Sequence, residues 1–521
     1  MGNLNASDVL KDVGYEPKEK DVELNPSAVF GLEAQARHFI KHQPLYYDRS
    51  GMWWMWSHEK TRWEMTDIID VLNGIKKYGV DTISSKSKTE ITNALTQVAR
   101  EKAPEIITKN WTQFRDKIVD IETGDVFDAS PKYFLTNPLP FGVGNSENTP
   151  TLDKYFKEWV VKDGLQNETY VDTLYEIIAY STFSRQFLQR LFAFVGSGSN
   201  GKGIFLSIIE KFLGEDNCCS SELKILSTNN FETSGLYKKQ ACFMGEVDAY
   251  DMQNTNLIKK LSGEDGIRYC FKGKTPFTEN SSTTCFMNSN SLPVTPDKSK
   301  GFYRRWMIVD FPHEFPVGRD ILSEISEQEF ENLSRKVIRI SQELLKNKKF
   351  TNEGDLDTRI KRYEDRSNPI MSFINDYCEE SFEFDMPVMT FIKMLNKYLV
   401  KNRLRIMNPS TIKAALKKEG FDIDRKTREF NMEMKKIPCV MCLKLKDDKV
   451  LDSLDSLDSF LDIDTPWGMS SEKPVFSVQT VQKKGEIPKN HEIIDFSEPK
   501  DKNEDNFDKL SKEYKKEGLI D

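Results

Sequence analysis

The chain has 521 residues, a formal net charge of −8, 38% hydrophobic and 30% charged residues, and eight cysteines. That length suggests three or so domains with a sizeable core, while so few cysteines exclude a disulfide framework. No apolar stretch approaches the roughly 18 residues needed to cross a membrane, and the opening MGNLNASDVLKDVG lacks a secretory signal and, with Ala6 in place of Ser or Thr, a myristoylation pattern, so the expected location is cytoplasmic.

Residues 1–28 are polar, charged and without periodicity, and read as a flexible N-terminus. Residues 29–150 read as an α+β domain. Its first part, PLYYDRSGMWWMWSHEKTRWEM, has aromatic strand-like runs separated by turn residues and predicts a small β-meander. Trp53, Trp54, Trp56 and Trp63 crowd there. Such a cluster could stack on bases of a single strand, but the core of a small sheet is the favoured reading. Helices are expected next over TDIIDVLNGIKKYG, TEITNALTQVAREK and ITKNWTQFRDKI, followed by a turn-rich stretch to LPFGV.

Residues 151–320 read as an α/β unit. Helices around TLDKYFKEWV and YVDTLYEIIAY lead to a short apolar run, Leu191 to Val195, that predicts a buried strand. The turn Gly196, Ser197, Gly198, Ser199, Asn200, Gly201, Lys202, Gly203 follows, and apolar residues at helical spacing continue to Gly214. Strand, glycine-rich turn and amphipathic helix in that order is the context of a phosphate-binding loop. Glycines let successive N–H groups point inward, the helix start adds positive partial charge, and Lys202 reaches the outer phosphates. Gly203 departs from the pattern, which places a hydroxyl there to hold magnesium.

Three further strands are expected at Gln240–Gly245, Thr283–Met287 and Trp306–Asp310, with a hairpin, GIRYCFKGKTPFTEN, turning near Lys272 and Lys274. Helical sequence runs through 321–365. Residues 366–446 read as three helices and a two-stranded wing, a winged-helix outline. Within it, residues 390–446 carry 15 basic against 5 acidic side chains, and residues 447–521 carry 11 against 19. A basic module beside an acidic tail, whose LDSLDSLDSFLDID repeat reads as largely disordered, hints at nucleic acid. Cys439 and Cys442 form the only C-x-x-C pair and, lacking a second ligand pair, read as strand residues; Cys218 and Cys219 have no evident partner.

ATP hydrolysis needs a phosphate cradle, acids for magnesium and water, a polar group near the γ-phosphate, and a positive charge on the transition state. Each has a candidate at a strand end. Lys202 and the loop amides hold phosphates; Glu246 and Asp248 bind magnesium and orient water; Asn290 meets the γ-phosphate or that water. Arg305 is the candidate arginine finger, with one of Arg304 and Arg305 expected to be merely solvated.

FVGSGSNGKGIFL, ACFMGEVDAY, LIKKLSGEDGIRYCFKGKTPF, TTCFMNSNSLP and GFYRRWMIVDF resemble the successive motifs of superfamily III helicases. The closest type is the helicase portion of the primase–helicases of viruses and plasmids, including the poxvirus-like group. The resemblance spans roughly residues 30–446. It implies an AAA+-like P-loop core that uses ATP and Mg2+, assembles as a ring, usually a hexamer, and moves along single-stranded DNA at a replication fork. It carries Lys202 over as the P-loop lysine, Glu246 and Asp248 as the second motif, Asn290 as the sensor and Arg305 as a finger offered to a neighbouring subunit. Lys272 and Lys274 become the DNA-gripping pair. No counterpart of the catalytic primase domain is found, so a separate primase or other replication protein is an expected partner. Gly203 and that missing domain keep open an alternative, an ATP-gated DNA-binding or loader protein with little unwinding.

Overall fold

The computed structural model describes residues 31–76 and 85–446, except 164, 197, 246–251, 253–254, 317, 383, 403, 405 and 431–432. The expected flexible start and the acidic Leu-Asp-Ser tail therefore lie outside the described residues. Among those described, no helix is long and apolar enough to cross a membrane.

The chain begins with α1 (Leu32–His42), an antiparallel meander of β1 (Leu45–Tyr47), β2 (Trp53–Ser57) and β3 (Arg62–Thr66), then α2 (Ile68–Lys76) and α3 (Ser85–Glu101). All four tryptophans are buried, at 2–7% exposure. Trp56 and Trp63 face each other across the β2–β3 pair, edge to face at 5.8 Å. The indole of Trp54 donates to the buried Asp48 carboxylate at 2.8 Å and that of Trp63 to the Tyr133 carbonyl at 3.0 Å. Rings so enclosed are unavailable for stacking on bases, and the core reading holds.

Small strands follow: β4 (Glu105–Ile106), β5 (Trp111–Phe114), β6 (Lys117–Asp120), β7 (Val126–Asp128) and β8 (Tyr133–Phe134). The helix expected over ITKNWTQFRDKI is instead the β5–β6 hairpin, with Phe114 paired to Lys117 across Arg115 and Asp116. Its apolar residues fit either period, and the turn decides: Arg115 sits at φ 53°, which ends any helix there.

The centre of the molecule runs α4 (Pro150–Val160), α5 (Thr169–Tyr180), β9 (Leu191–Val195), α6 (Lys202–Leu213), β10 (Cys218–Ser221), α7 (Leu223–Thr228), β11 (Ala241–Met244), α8 (Asn256–Leu261), β12 (Gly266–Tyr269), β13 (Phe277–Asn280), β14 (Thr284–Ser289), α9 (Lys300–Tyr303) and β15 (Trp306–Asp310). Five strands make one parallel sheet in the order β10-β11-β14-β9-β15. β10, at its edge, went unread in the sequence because CCSS carries little strand signal. Strand alternation divides the core in two. Phe192, Phe194 and Phe286 face α4, α5 and α6, whereas Leu191, Ala193, Val195, Cys242 and Met287 face the layer that includes Trp54, Trp56 and Trp63. The meander thus packs on one face of the parallel sheet.

The remaining elements are α10 (Ile321–Glu324), α11 (Glu327–Asn347), α12 (Leu356–Ser367), α13 (Pro369–Tyr377), β16 (Cys378–Glu380), β17 (Met386–Pro387), α14 (Val388–Lys401), α15 (Pro409–Lys418), β18 (Ile423–Phe430), β19 (Glu433–Val440) and β20 (Leu443–Leu445). Ser326, Asp355, Asn368 and Asn408 cap α11, α12, α13 and α15 through their side chains. From α13 onward the helices share their own core, built on Phe373, Phe391, Leu395 and Leu416, beside the antiparallel sheet β17-β19-β18. Cys439 is buried in β19, Cys442 lies exposed in the turn after it, and both are free thiols.

Candidate functional site

The glycine-rich turn leaves the C-terminal end of β9, the second strand from the sheet's edge, and enters α6. Gly198 and Gly201 take φ of 110° and 89°, and Ser199 takes 46°. These left-handed positions fold the loop back on itself before the helix begins. Gly201 is held by space as well as by φ, since a Cβ there would stand 2.6 Å from the Trp159 indole. At Gly196 a Cβ would meet the Asn200 amide at 1.9 Å and the Phe311 carbonyl at 2.6 Å. The loop is therefore pinned between α4 and the segment that follows β15.

That segment ties itself to the loop by two bonds. Asn200, 2% exposed, donates from Nδ2 to the Phe311 carbonyl at 3.1 Å, and the Phe315 N–H donates to the Ser199 carbonyl at 2.7 Å. Lys202, at the first position of α6, is buried at 5% exposure, and its Nζ donates to the Gly196 carbonyl and to Asn200 Oδ1, both at 2.8 Å. Its ammonium lies inside the ring of loop backbone, where phosphate oxygens would meet it.

Over this loop opens a cavity of about 790 Å³. One side is polar, formed by residues 198–203 and Asn288. The rest of the lining is mostly apolar, formed by Tyr155, Trp159, Ile204, Phe315 and Ile321, with Glu158 and Arg319 beside them. Tyr155 and Trp159 are one turn apart on α4, their rings stacked at 5.9 Å. Burial, and then the hydrogen bond that the Tyr155 hydroxyl donates to the Glu324 carboxylate at 2.5 Å, push that hydroxyl up to about 12, so it stays neutral. The arrangement has the dimensions and two-sided chemistry of a nucleotide pocket. A Cβ placed on Gly203 would meet nothing within 4 Å, so this position faces open space. The donor set suits a triphosphate: the loop backbone, the start of a 12-residue helix and a buried ammonium all favour negative charge.

The expected site residues divide into groups. Gly196, Gly198, Ser199, Asn200, Gly201, Lys202 and Gly203 come together as read. Ser197, Glu246 and Asp248 lie outside the described residues, the last two just past β11, whose C-terminal end runs beside those of β14 and β9.

Asn290 is exposed in the turn beyond β14, and Asn288, two residues earlier, lines the cavity. The Ser291 N–H bonds back to Ser289 Oγ at 3.3 Å in this turn. Asn288 Oδ1 is buried and has no hydrogen-bond donor among the described residues, which an acceptor on a ligand-binding face would show. A polar residue interrupting the apolar run one register step from the end of β9 was the signal for it.

Arg305 lies just before β15. It is 7% exposed, with one guanidinium nitrogen bonded to the Gly301 carbonyl, while Arg304 is the exposed member of the pair. Burial first, and then Arg304, hold the Arg305 guanidinium below its ordinary value. Both stand at the opposite end of the strands from the loop, because Trp306 pairs with Leu191 and the Arg305 carbonyl accepts from the Leu191 N–H at 2.7 Å. Five residues of strand, about 16 Å, separate the two ends, so neither arginine serves the cavity of its own chain. On the β12–β13 hairpin, Lys272 is exposed, and Lys274 turns back toward the meander, 3.5 Å from the Gly51 carbonyl.

Residues 194–305 match a family of unknown function, DUF5906. No curated protein matches the chain. Among solved structures, the A-form apo structure of the NrS-1 C-terminal region aligns at 13% identity over 78% of this chain and 98% of that one, with a TM-score of 0.41. A second apo structure of the same NrS-1 region aligns at 12% identity over the same shares, with a TM-score of 0.39. At these values the likeness is coarse.

Proposed function

We propose that this chain is the motor of an ATP-dependent DNA helicase of the kind that serves viral or plasmid replication, hydrolysing ATP as it moves along single-stranded DNA. One observation carries the reading: a buried lysine at the head of α6, inside a pinned glycine loop, under a cavity with one polar and one aromatic wall. In this reading Lys202 and the loop amides bind the triphosphate, and the half-buried Phe315 and Ile204 meet the base. Glu246 and Asp248 would hold a magnesium ion, which would supply positive charge to the phosphates, and would orient the attacking water, with Asn288 accepting a hydrogen bond from that water. The chain works as a ring of copies, a hexamer in the family it resembles, and the exposed Arg304 rather than Arg305 is the arginine offered to a neighbour. Lys272, Arg268 and the basic residues of 390–446 follow the DNA backbone.

A second reading, an ATP-gated DNA-binding or loader protein with little unwinding, draws support from Gly203, which supplies no hydroxyl to magnesium. One set of assays separates them: DNA-stimulated ATPase and strand displacement by the full chain, with Lys202→Ala beside it. The motor reading expects both activities, and a loss of roughly a hundredfold or more in the variant. ATP-dependent assembly on DNA with negligible turnover would favour the loader. Undiminished activity of Lys202→Ala would reject the assignment of the loop.

A further inference from the structure

Where the small strands β5 and β8 meet the β12–β13 hairpin, beside the residues that lead into β11 and β14, lies a separate cavity of about 220 Å³. It shares no lining residue with the cavity over the phosphate loop. One water takes about 30 Å³, and drug-sized ligands need upward of about 300 Å³, so the space suits a single small ring system.

Two buried glutamines line it, Gln113 on β5 and Gln240 just ahead of β11, at 3% and 5% exposure. Gln113 spends its amide N–H groups on the Thr61 and Arg115 carbonyls, at 2.8 and 2.9 Å. Gln240 spends one on the Thr182 carbonyl at 3.3 Å. These bonds fix how each amide is turned, since the reverse placing would set oxygen against oxygen. Both Oε1 atoms are then left buried with no donor among the described residues. Glu279, also on the wall, adds a carboxylate, and its neighbour Lys238 is already paired with it. Buried acceptors without donors are rare in folded proteins, and here the unmet demand is for N–H groups. Trp111, Phe134, Tyr237 and Tyr269 supply flat apolar surface, while Ile106 and Ser184 are exposed and mark the mouth. A ligand that answers this wall is planar and carries N–H donors. The amino group of adenine, cytosine or guanine offers two such donors, whereas thymine has a single N–H between two carbonyls.

We infer that this cavity binds one amino-bearing nucleobase, with Gln113 and Gln240 accepting its N–H groups and the aromatic wall packing on its ring. The base has two candidate sources, a free nucleoside or one unstacked base of a single strand lying along the β12–β13 hairpin. Only the second source rests on the motor reading above.

The test uses the full chain and titration calorimetry, with deoxynucleosides as probes because they carry no phosphate for the loop. Deoxycytidine should bind, and thymidine, of the same size but with a carbonyl in place of the amino group, should bind roughly tenfold or more weakly. Gln240→Leu keeps the volume and removes the acceptor, and should weaken deoxycytidine roughly tenfold or more. Ser184→Trp should do the same by filling the mouth, and, being exposed, it reports binding even if Gln240→Leu impairs folding. For the second source, single strands of only deoxycytidine and of only thymidine are titrated at one salt concentration. A preference for the cytosine strand that Ser184→Trp abolishes assigns the base to a strand. Deoxycytidine binding without such a preference assigns it to the free nucleoside. The inference falls if deoxycytidine does not bind and the strands show no preference that Ser184→Trp removes. It falls equally if thymidine binds as tightly as deoxycytidine, or if neither variant weakens deoxycytidine. Undiminished ATPase in Lys202→Ala would remove the motor reading and leave these nucleoside measurements untouched.

Discussion

Gly203 stands where a phosphate loop ordinarily presents a hydroxyl, and the space beside it is open. Its φ is not in the left-handed region, so Gly203→Ser is compatible with the backbone and with the first turn of α6. We expect this variant to melt no lower than the parent, since losing a glycine there narrows the unfolded ensemble by about 0.4–1 kcal/mol, and to hydrolyse ATP faster at limiting magnesium. Thermal melts and a magnesium titration of ATPase check both. Gly201 is the opposite case. With φ at 89° and the Trp159 ring 2.6 Å from any Cβ, Gly201→Ala combines backbone strain with a clash. A loss of about 1–3 kcal/mol from the strain alone is expected, read as a fall in melting temperature together with weaker nucleotide binding. Lys202 and the glycines were legible in the sequence because their spacing encodes their geometry. The exposure of Asn290 and Arg304 and the burial of Arg305 were not, because a difference between residues two or one apart depends on where a strand turns.

Among the elements, α8 and α9 are held together by Asp297, which lies in the segment entering α9. It accepts from Thr255, next to α8, and from Lys259 and Ser299. Burial pushes the Asp297 carboxyl up, but the bonds from Lys259, Ser299 and Thr255 outweigh it and hold the group well below the ordinary carboxylate range. A depressed folded-state value means the stabilisation is fully present above the unfolded-state value, about pH 4, and is lost as pH falls through the folded-state one. Melting temperature should therefore decline below about pH 4, and less steeply in Asp297→Asn, which has already lost the charge; a pH series of melts on both chains decides it. Strand β9 and the end of α6 before Gly214 were readable from sequence to the residue, with α6 beginning at Lys202, inside the turn as read, and the β12–β13 hairpin was readable too. The β5–β6 hairpin was not, because Trp111, Phe114 and Ile118 satisfy helical spacing as well as strand pairing until Arg115 adopts its left-handed turn.

For the molecule as a whole, the tryptophan meander and the parallel sheet make one core. Trp54 sits at the join, 5.0 Å from the Phe134 ring and 6.2 Å from that of Tyr237. Trp54→Ala should cost about 3–5 kcal/mol, the usual loss for a buried aromatic, and should expose the meander and the sheet to proteolysis together rather than in sequence. The chain alone determined most of the strands and helices around the parallel sheet, the glycine-rich turn between β9 and α6, and the divided charge of its last third, since periodicity, glycine placement and charge are local properties that need no partner to be read. Only the tertiary structure decided that the tryptophans are core, that Asn288 lines the cavity while Asn290 is exposed, and that Arg304 is exposed while Arg305 is buried. Those outcomes depend on which residues far apart in the chain come to share one sheet end, and that is set by packing across the whole core.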